Sequence, residues 1–124
     1  MTDTNVQYDK AIAACRDIFI MKTTDYGTSW RVLRTISVVD QIFIKALRIR
    51  TIQEKKEQKV SDDIAGEFRG ILNYAVIGLM QLQLDKPAVE DLPAAAVRVW
   101  FDEQVAAAKK IMLDKNHEIG RAHV

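Results

Sequence analysis

An all-α fold, a compact helical bundle of about four helices, is what this chain of 124 residues predicts, and three observations carry the prediction. Apolar residues recur at three- and four-residue steps along four segments, the spacing of one buried helical face. No stretch of useful length alternates apolar and polar residues as a half-buried strand does. The helical segments are separated at Gly27, at the charged run Gln53 to Lys59 and at Asp85-Lys86-Pro87. A glycine turn and the residue before a proline both leave helical backbone angles.

The first helix is expected over about Val6 to Lys22, with Tyr8, Ala11, Ile12, Cys15, Ile18 and Phe19 on its buried face. A functional loop, Lys22-Thr23-Thr24-Asp25-Tyr26-Gly27-Thr28-Ser29-Trp30-Arg31, should follow. It is the one place where polar, aromatic and glycine residues gather. Gly27 can take a positive φ, Asp25 can bond the backbone two residues on, and Tyr26 and Trp30 each join a large apolar body to a polar tip.

The second helix is expected from about Trp30 to Lys56. Val32, Leu33, Ile36, Val39, Phe43, Ile44 and Leu47 would form its core side, with Asp40 in the middle of that side. Ionised carboxylates are seldom buried without a partner, so Asp40 stands out. Ser37, Gln41, Arg34, Lys45 and Arg48 form a polar strip beside it. Gln53 to Lys59 reads as a solvated helix end and loop. Ser61 is the expected N-cap of a third helix, and Asp62 and Asp63 in its first turn suit the helix dipole. On that helix Asp63, Glu67, Gly70 and Tyr74 share a stripe, with Gly66 and Asn73 beside it. Ile64, Phe68, Ile71, Ala75, Leu79 and Leu82 would face the core. Two interior glycines disfavour a helix by about 1 kcal/mol each, so a neighbouring helix or a ligand should approach them closely. After the linker Ala88 to Leu92, Pro93 opens a fourth helix carrying Val97, Trp100, Phe101, Val105, Ala108, Ile111 and Met112.

The length fits one domain, and a hydrophobic content of 48% supplies a core. The apolar runs are short and interrupted, so no membrane span is expected. The polar start Met1-Thr2-Asp3-Thr4-Asn5 lacks signal-peptide character, and a cytoplasmic location follows. The single cysteine, Cys15, reads as a buried thiol. A net charge of +1 makes no general case for nucleic acid, although Arg31 to Lys59 holds eight Lys or Arg against three acids.

An internal repeat is visible at an offset of 93. Laying Tyr8–Lys22 over Phe101–Lys115 pairs Asp9 with Asp102, Ala13 and Ala14 with Ala106 and Ala107, Ile18 with Ile111, and Lys22 with Lys115. The fourth helix is therefore expected to copy the first. Residues 1–87 would form a first repeat and 88–117 the first helix of a truncated second one. Residues 118–124, Glu-Ile-Gly-Arg-Ala-His-Val, resemble the translation of a common sequencing-library adapter and are set aside from functional reading. A helix without its second repeat would leave apolar surface exposed or recruit another chain, so a homo-oligomer or a missing repeat is the expected protein partner.

Lys22-x-x-Asp25-Tyr26-Gly27-x-Ser29-Trp30-Arg31, followed by Asp40-Gln41-Ile42-Phe43-Ile44-Lys45-Ala46-Leu47-Arg48, resembles the nucleotide modification associated domain 1 family over about Ile18 to Tyr74. The resemblance implies a small helical protein of bacteria or phages, in a family often carrying two tandem copies and associated by context with modified-nucleotide metabolism. The chain is also distantly similar to all-α nucleoside triphosphate pyrophosphohydrolases, which hold magnesium between carboxylates of facing helices. Their paired Glu-x-x-Glu motifs are absent here, leaving Asp40, Asp63 and Glu67 as candidate ligands.

Two functions are weighed. In the first, a nucleotide-handling site, Lys22, Arg34, Lys45 and Arg48 hold phosphates and Tyr26 or Trp30 stacks on the base. Asp25 and Gly27 shape the loop. Asp40, Asp63 and Glu67 would bind Mg²⁺ for a phosphohydrolase activity. In the second, a non-catalytic helical module, Asp40 pairs with Arg48 or Lys45 and Asp25 caps the second helix. Whether the chain is an enzyme is left open, and nucleic acid is not an expected partner.

Overall fold

Helix α1 spans Thr4–Tyr26, a 3₁₀ turn Ser29–Val32, helix α2 Thr35–Lys55, helix α3 Ile64–Leu82 and helix α4 Ala94–Ala122. The structure, a computed structural model, describes residues 3–55, 64–83 and 92–122, with Val32 and residues 116–122 described by backbone alone. Ser61, Asp62 and Asp63, the expected start of the third helix, lie outside the described residues, as does most of the linker after α3. Among the described residues there is no strand, and no helix is long and apolar enough to cross a membrane.

Each helix end has a local cause. The Asp3 carboxylate accepts from the Asn5 N–H at 3.0 Å and caps α1. The helix runs four residues beyond the expected Lys22, because nothing from Thr23 to Tyr26 breaks it. It stops where Gly27 adopts φ 64 and donates its N–H to the Thr23 carbonyl at 2.9 Å. Asp25 and Tyr26 thus belong to the last turn of α1 and not to a loop. The second helix starts later than expected, at Thr35. The intervening 3₁₀ turn ends on Leu33 in an extended conformation, and the Arg34 carbonyl then accepts from the Ser37 and Val38 N–H groups. Asp25 therefore lies within α1, with the 3₁₀ turn between it and the start of α2.

Phe19, Trp30, Val38, Val76, Ile77, Met80, Val97 and Phe101 form the core. Phe19 of α1 stacks on Phe101 of α4 with ring centroids 4.6 Å apart. Antiparallel packing of α2 on α3 appears in the pairing of Val38 with Gly78 and of Lys45 with Gly70. Gly70 is the tighter of the two. A Cβ there would lie 2.8 Å from Lys45 Cε, so the glycine leaves room for the lysine stem to lie across α3.

The faces of α2 and α3 are the main correction to the sequence reading. Ile36, Val39, Phe43, Ile44 and Leu47 do share a side of α2 with Asp40, but all of them, Asp40 included, are exposed. The buried residues are Val38, Ile49 and Ile52. On α3, Phe68, Ala75, Leu79 and Leu82 are likewise exposed, while Asn73, Val76, Ile77 and Met80 are buried. Asp40 needs no buried partner because its whole side of the helix faces water.

Helices α1 and α4 meet through two ion pairs. Arg16 bonds both Asp102 oxygens at 2.7 and 3.1 Å, and Lys109 Nζ lies 2.9 Å from Asp9 Oδ1. The offset of 93 converts Asp9 into Asp102 and Arg16 into Lys109, so it exchanges one pair for the other. The Tyr8 hydroxyl also donates to the Val105 carbonyl at 2.7 Å, and burial pushes its pKa up.

Candidate functional site

A cavity of ≈ 470 Å³ opens where the end of α1, the 3₁₀ turn, α2 and α3 meet. Phe19, Trp30, Leu33 and Ile77 supply apolar wall, Tyr26 and Tyr74 two further aromatic rings, and Lys22 and Lys45 two cations. Gly66 and Gly70 line it as well, so the glycine pair of α3 serves both the approach of α2 and the opening of the cavity.

Gln81 of α3 ties the 3₁₀ turn onto that helix. Gln81 Nε2 faces the carbonyls of Trp30, Arg31 and Leu33 at 2.9, 3.3 and 2.7 Å. The buried Thr28 hydroxyl accepts the Leu92 N–H at 3.0 Å and ties the turn to the entry of α4. Trp30 is thereby fixed as a wall, only 8% exposed, whereas Tyr26 is 71% exposed at the cavity.

Two fully buried polar atoms of residues behind the cavity wall, Trp30 Nε1 and Asn73 Oδ1, have no hydrogen-bond partner among the described residues. The other end of the Asn73 amide donates from Nδ2 to the Cys15 carbonyl at 3.0 Å, which sets the free atom as the oxygen. Leaving such groups unpaired costs about 1–3 kcal/mol each. Cys15 itself is buried, as expected, and burial raises its pKa.

Lys45 is held in place from three directions. Its stem lies in the Gly70 notch, its Nζ is 3.5 Å from Glu67 Oε2, and it stands 5.9 Å from the Tyr74 ring centroid. Arg48 Nε meets the other Glu67 oxygen at 3.0 Å. Lys45 and Arg48 thus meet Glu67 one at each carboxylate oxygen.

Of the residues singled out in the sequence, Lys22, Tyr26, Gly27, Trp30 and Lys45 come together around the cavity. Asp25, Arg34 and Arg48 are exposed and do not line it, and Arg48 pairs with Glu67, which also meets Lys45. For the suggested magnesium site, Glu67 is engaged by Lys45 and Arg48, Asp40 is exposed, and Asp63 lies outside the described residues. Among the described residues no three His, Cys, Asp or Glu side chains are grouped to hold a metal ion.

Sequence reasoning left Asn73, Tyr74, Gly66 and Gly70 out of the site, although their shared stripe with Glu67 was visible. Gln81 was missed altogether. Its signal was a polar side chain inside the apolar run Ile71 to Leu84.

Residues 22–82 match the model of the family described as nucleotide modification associated domain 1. This segment, which carries the turn, α2, α3 and most of the cavity lining, belongs to that family. No curated protein and no solved structure matches the chain.

Proposed function

We propose that the cavity binds a nucleotide. The observation that carries the reading is the composition of the cavity within the family-matched segment: aromatic rings and two lysines. A nucleobase offers a flat π-face on which the exposed Tyr26 ring can stack. The phosphates need fixed cations, and Lys22 and Lys45 supply them. The description of the family points the same way.

The test is calorimetric titration of the protein with deoxynucleoside triphosphates and with the matching nucleosides, in Mg²⁺ and in chelator. The triphosphate should bind and the nucleoside should bind at least tenfold more weakly. Lys45→Ala should remove most of that difference. Absence of triphosphate binding at millimolar concentration, or equal affinity in Lys45→Ala, would refute the proposal. The competing reading, a non-catalytic structural module, draws on the Glu67 ion pairs, which account for Lys45 and Arg48 without any ligand. It predicts that the same titration is silent.

A further inference from the structure

The two ion pairs beside the cavity are unequal. Arg48 Nε stands 3.0 Å from Glu67 Oε1, whereas Lys45 Nζ stands 3.5 Å from Oε2, beyond the roughly 2.7–2.9 Å of a close ammonium–carboxylate bond. Of these three side chains only Lys45 lines the cavity. Lys45 and Arg48 are three residues apart on α2, so they approach α3 from neighbouring positions and meet the same carboxylate. The lysine stem is fixed, since it lies in the Gly70 notch with Nζ 5.9 Å from the Tyr74 ring centroid. The adjustable member is the carboxylate. A Glu67 drawn toward Arg48 leaves the Lys45 ammonium to the cavity, and a Glu67 released from Arg48 can close on Lys45 and occupy it.

We infer that Arg48 is a positioning residue of the nucleotide site: it holds the Glu67 carboxylate back from Lys45 and so keeps that ammonium available to a phosphate. This role rests on the cavity binding a nucleotide through Lys45. Two features favour it over direct phosphate binding by Arg48. The Arg48 side chain is half exposed and does not line the cavity, and an exposed cation gains little from a ligand it does not touch, because water and salt screen the attraction. The Glu67 side chain is only 19% exposed, and a carboxylate so enclosed keeps a cationic partner wherever one is in reach. With Arg48 removed, Lys45 is the cation in reach among the described residues. Phosphate and Glu67 then compete for one ammonium. Glu67 therefore opposes phosphate binding, and Arg48 weakens that opposition.

Calorimetric titration with a deoxynucleoside triphosphate in Mg²⁺ tests this on the wild type, Arg48→Met, Glu67→Gln, the double variant and Arg48→Lys. Arg48→Met should weaken binding roughly fivefold, the scale of one partly exposed ion pair. Glu67→Gln should bind at least as tightly as the wild type. Adding Arg48→Met to Glu67→Gln should change the affinity less than about twofold, since no carboxylate is left to hold back. Arg48→Lys can still pair with Glu67 and should stay within about twofold of the wild type. Arg50→Met removes the same charge from the same helix, but from a pair with Glu54, and should also stay within about twofold. An equal loss from Arg48→Met with and without Glu67→Gln overturns the role, because Arg48 then acts on the phosphate by its own charge. Wild-type affinity in Arg48→Met, or weaker binding by Glu67→Gln, overturns it as well. In each of those cases nucleotide binding stands, because it is decided by the wild type and Lys45→Ala; a wild type that does not bind the triphosphate removes both.

Discussion

Leu79 and Met80 are neighbours in α3, yet Leu79 is 44% exposed while Met80 is fully buried. The same contrast runs along the whole hairpin of α2 and α3. One side holds the core and the cavity, where large apolar groups alternate with Gln81, Asn73, Glu67 and Lys45, and most of those polar groups have a named partner. The outer faces of the two helices carry mostly apolar residues that are exposed. Burial thus does not follow hydrophobicity here. The side richer in polar groups is the inner one, because only specific bonds can hold the 3₁₀ turn and fix Lys45 beside a cavity.

The largest expected effect comes from breaking the inner side. Met80→Ala should destabilise the fold by about 2–5 kcal/mol, because neighbours fill a fully buried site only partly when the side chain is lost. Leu79→Ala, one residue away, should cost under about 1 kcal/mol when measured by urea unfolding. Equal costs would remove the contrast between the two sides.

An intermediate effect is expected at the turn. Gln81→Leu keeps the volume but removes the amide that the carbonyls of Trp30, Arg31 and Leu33 share. It should cost about 1–3 kcal/mol, the range for buried groups left unpaired. Hydrogen exchange at the turn should rise while exchange in the middle of α4 stays put. Uniform loss of protection would mean that Gln81 supports the core in general.

The smallest effect on stability should come from Gly70→Ala. The new methyl would meet the far end of a flexible lysine, Cε at 2.8 Å and Cδ at 2.9 Å, which can swing away. Alanine gains about 1 kcal/mol of helix propensity over glycine, so the melting temperature should change little. Nucleotide affinity should nevertheless fall at least fivefold, since Lys45 can no longer lie beside the cavity. Unchanged affinity would show that the notch serves only the packing of α2 on α3.

Much of the helical layout was legible in the sequence because it is local. Gly27 stops α1 through its own positive φ, and Pro93 opens α4, with its carbonyl accepting the Val97 N–H. Periodicity also grouped the right residues: Ile36, Val39, Phe43 and Leu47 do share one side of α2. What it misjudged was which side faces in. Asp40 within that stripe was the available clue, since a carboxylate amid a supposed core is more readily explained by water than by a buried partner. The extent of α1 was underestimated for a related reason. Thr23 and Thr24 look like loop residues, but their hydroxyls bond the carbonyls of Phe19 and Ile20 four residues back and continue the helix.

By itself the sequence determined the all-α class, the glycine and proline punctuation, the membership of residues in each helical stripe and the motif from Lys22 to Arg31. These depend on backbone sterics and on 100° of rotation per residue, which act within a few positions of the chain. Only the tertiary structure decided which stripe is buried, that Lys45 lies in the notch of Gly70, and that Gln81 reaches the carbonyls of a turn some fifty residues earlier. Helices such as α3, apolar on more than one side, have no local preference for which side to bury. The choice falls to whichever arrangement satisfies the polar groups of the turn while packing Phe19, Met80 and Phe101 together.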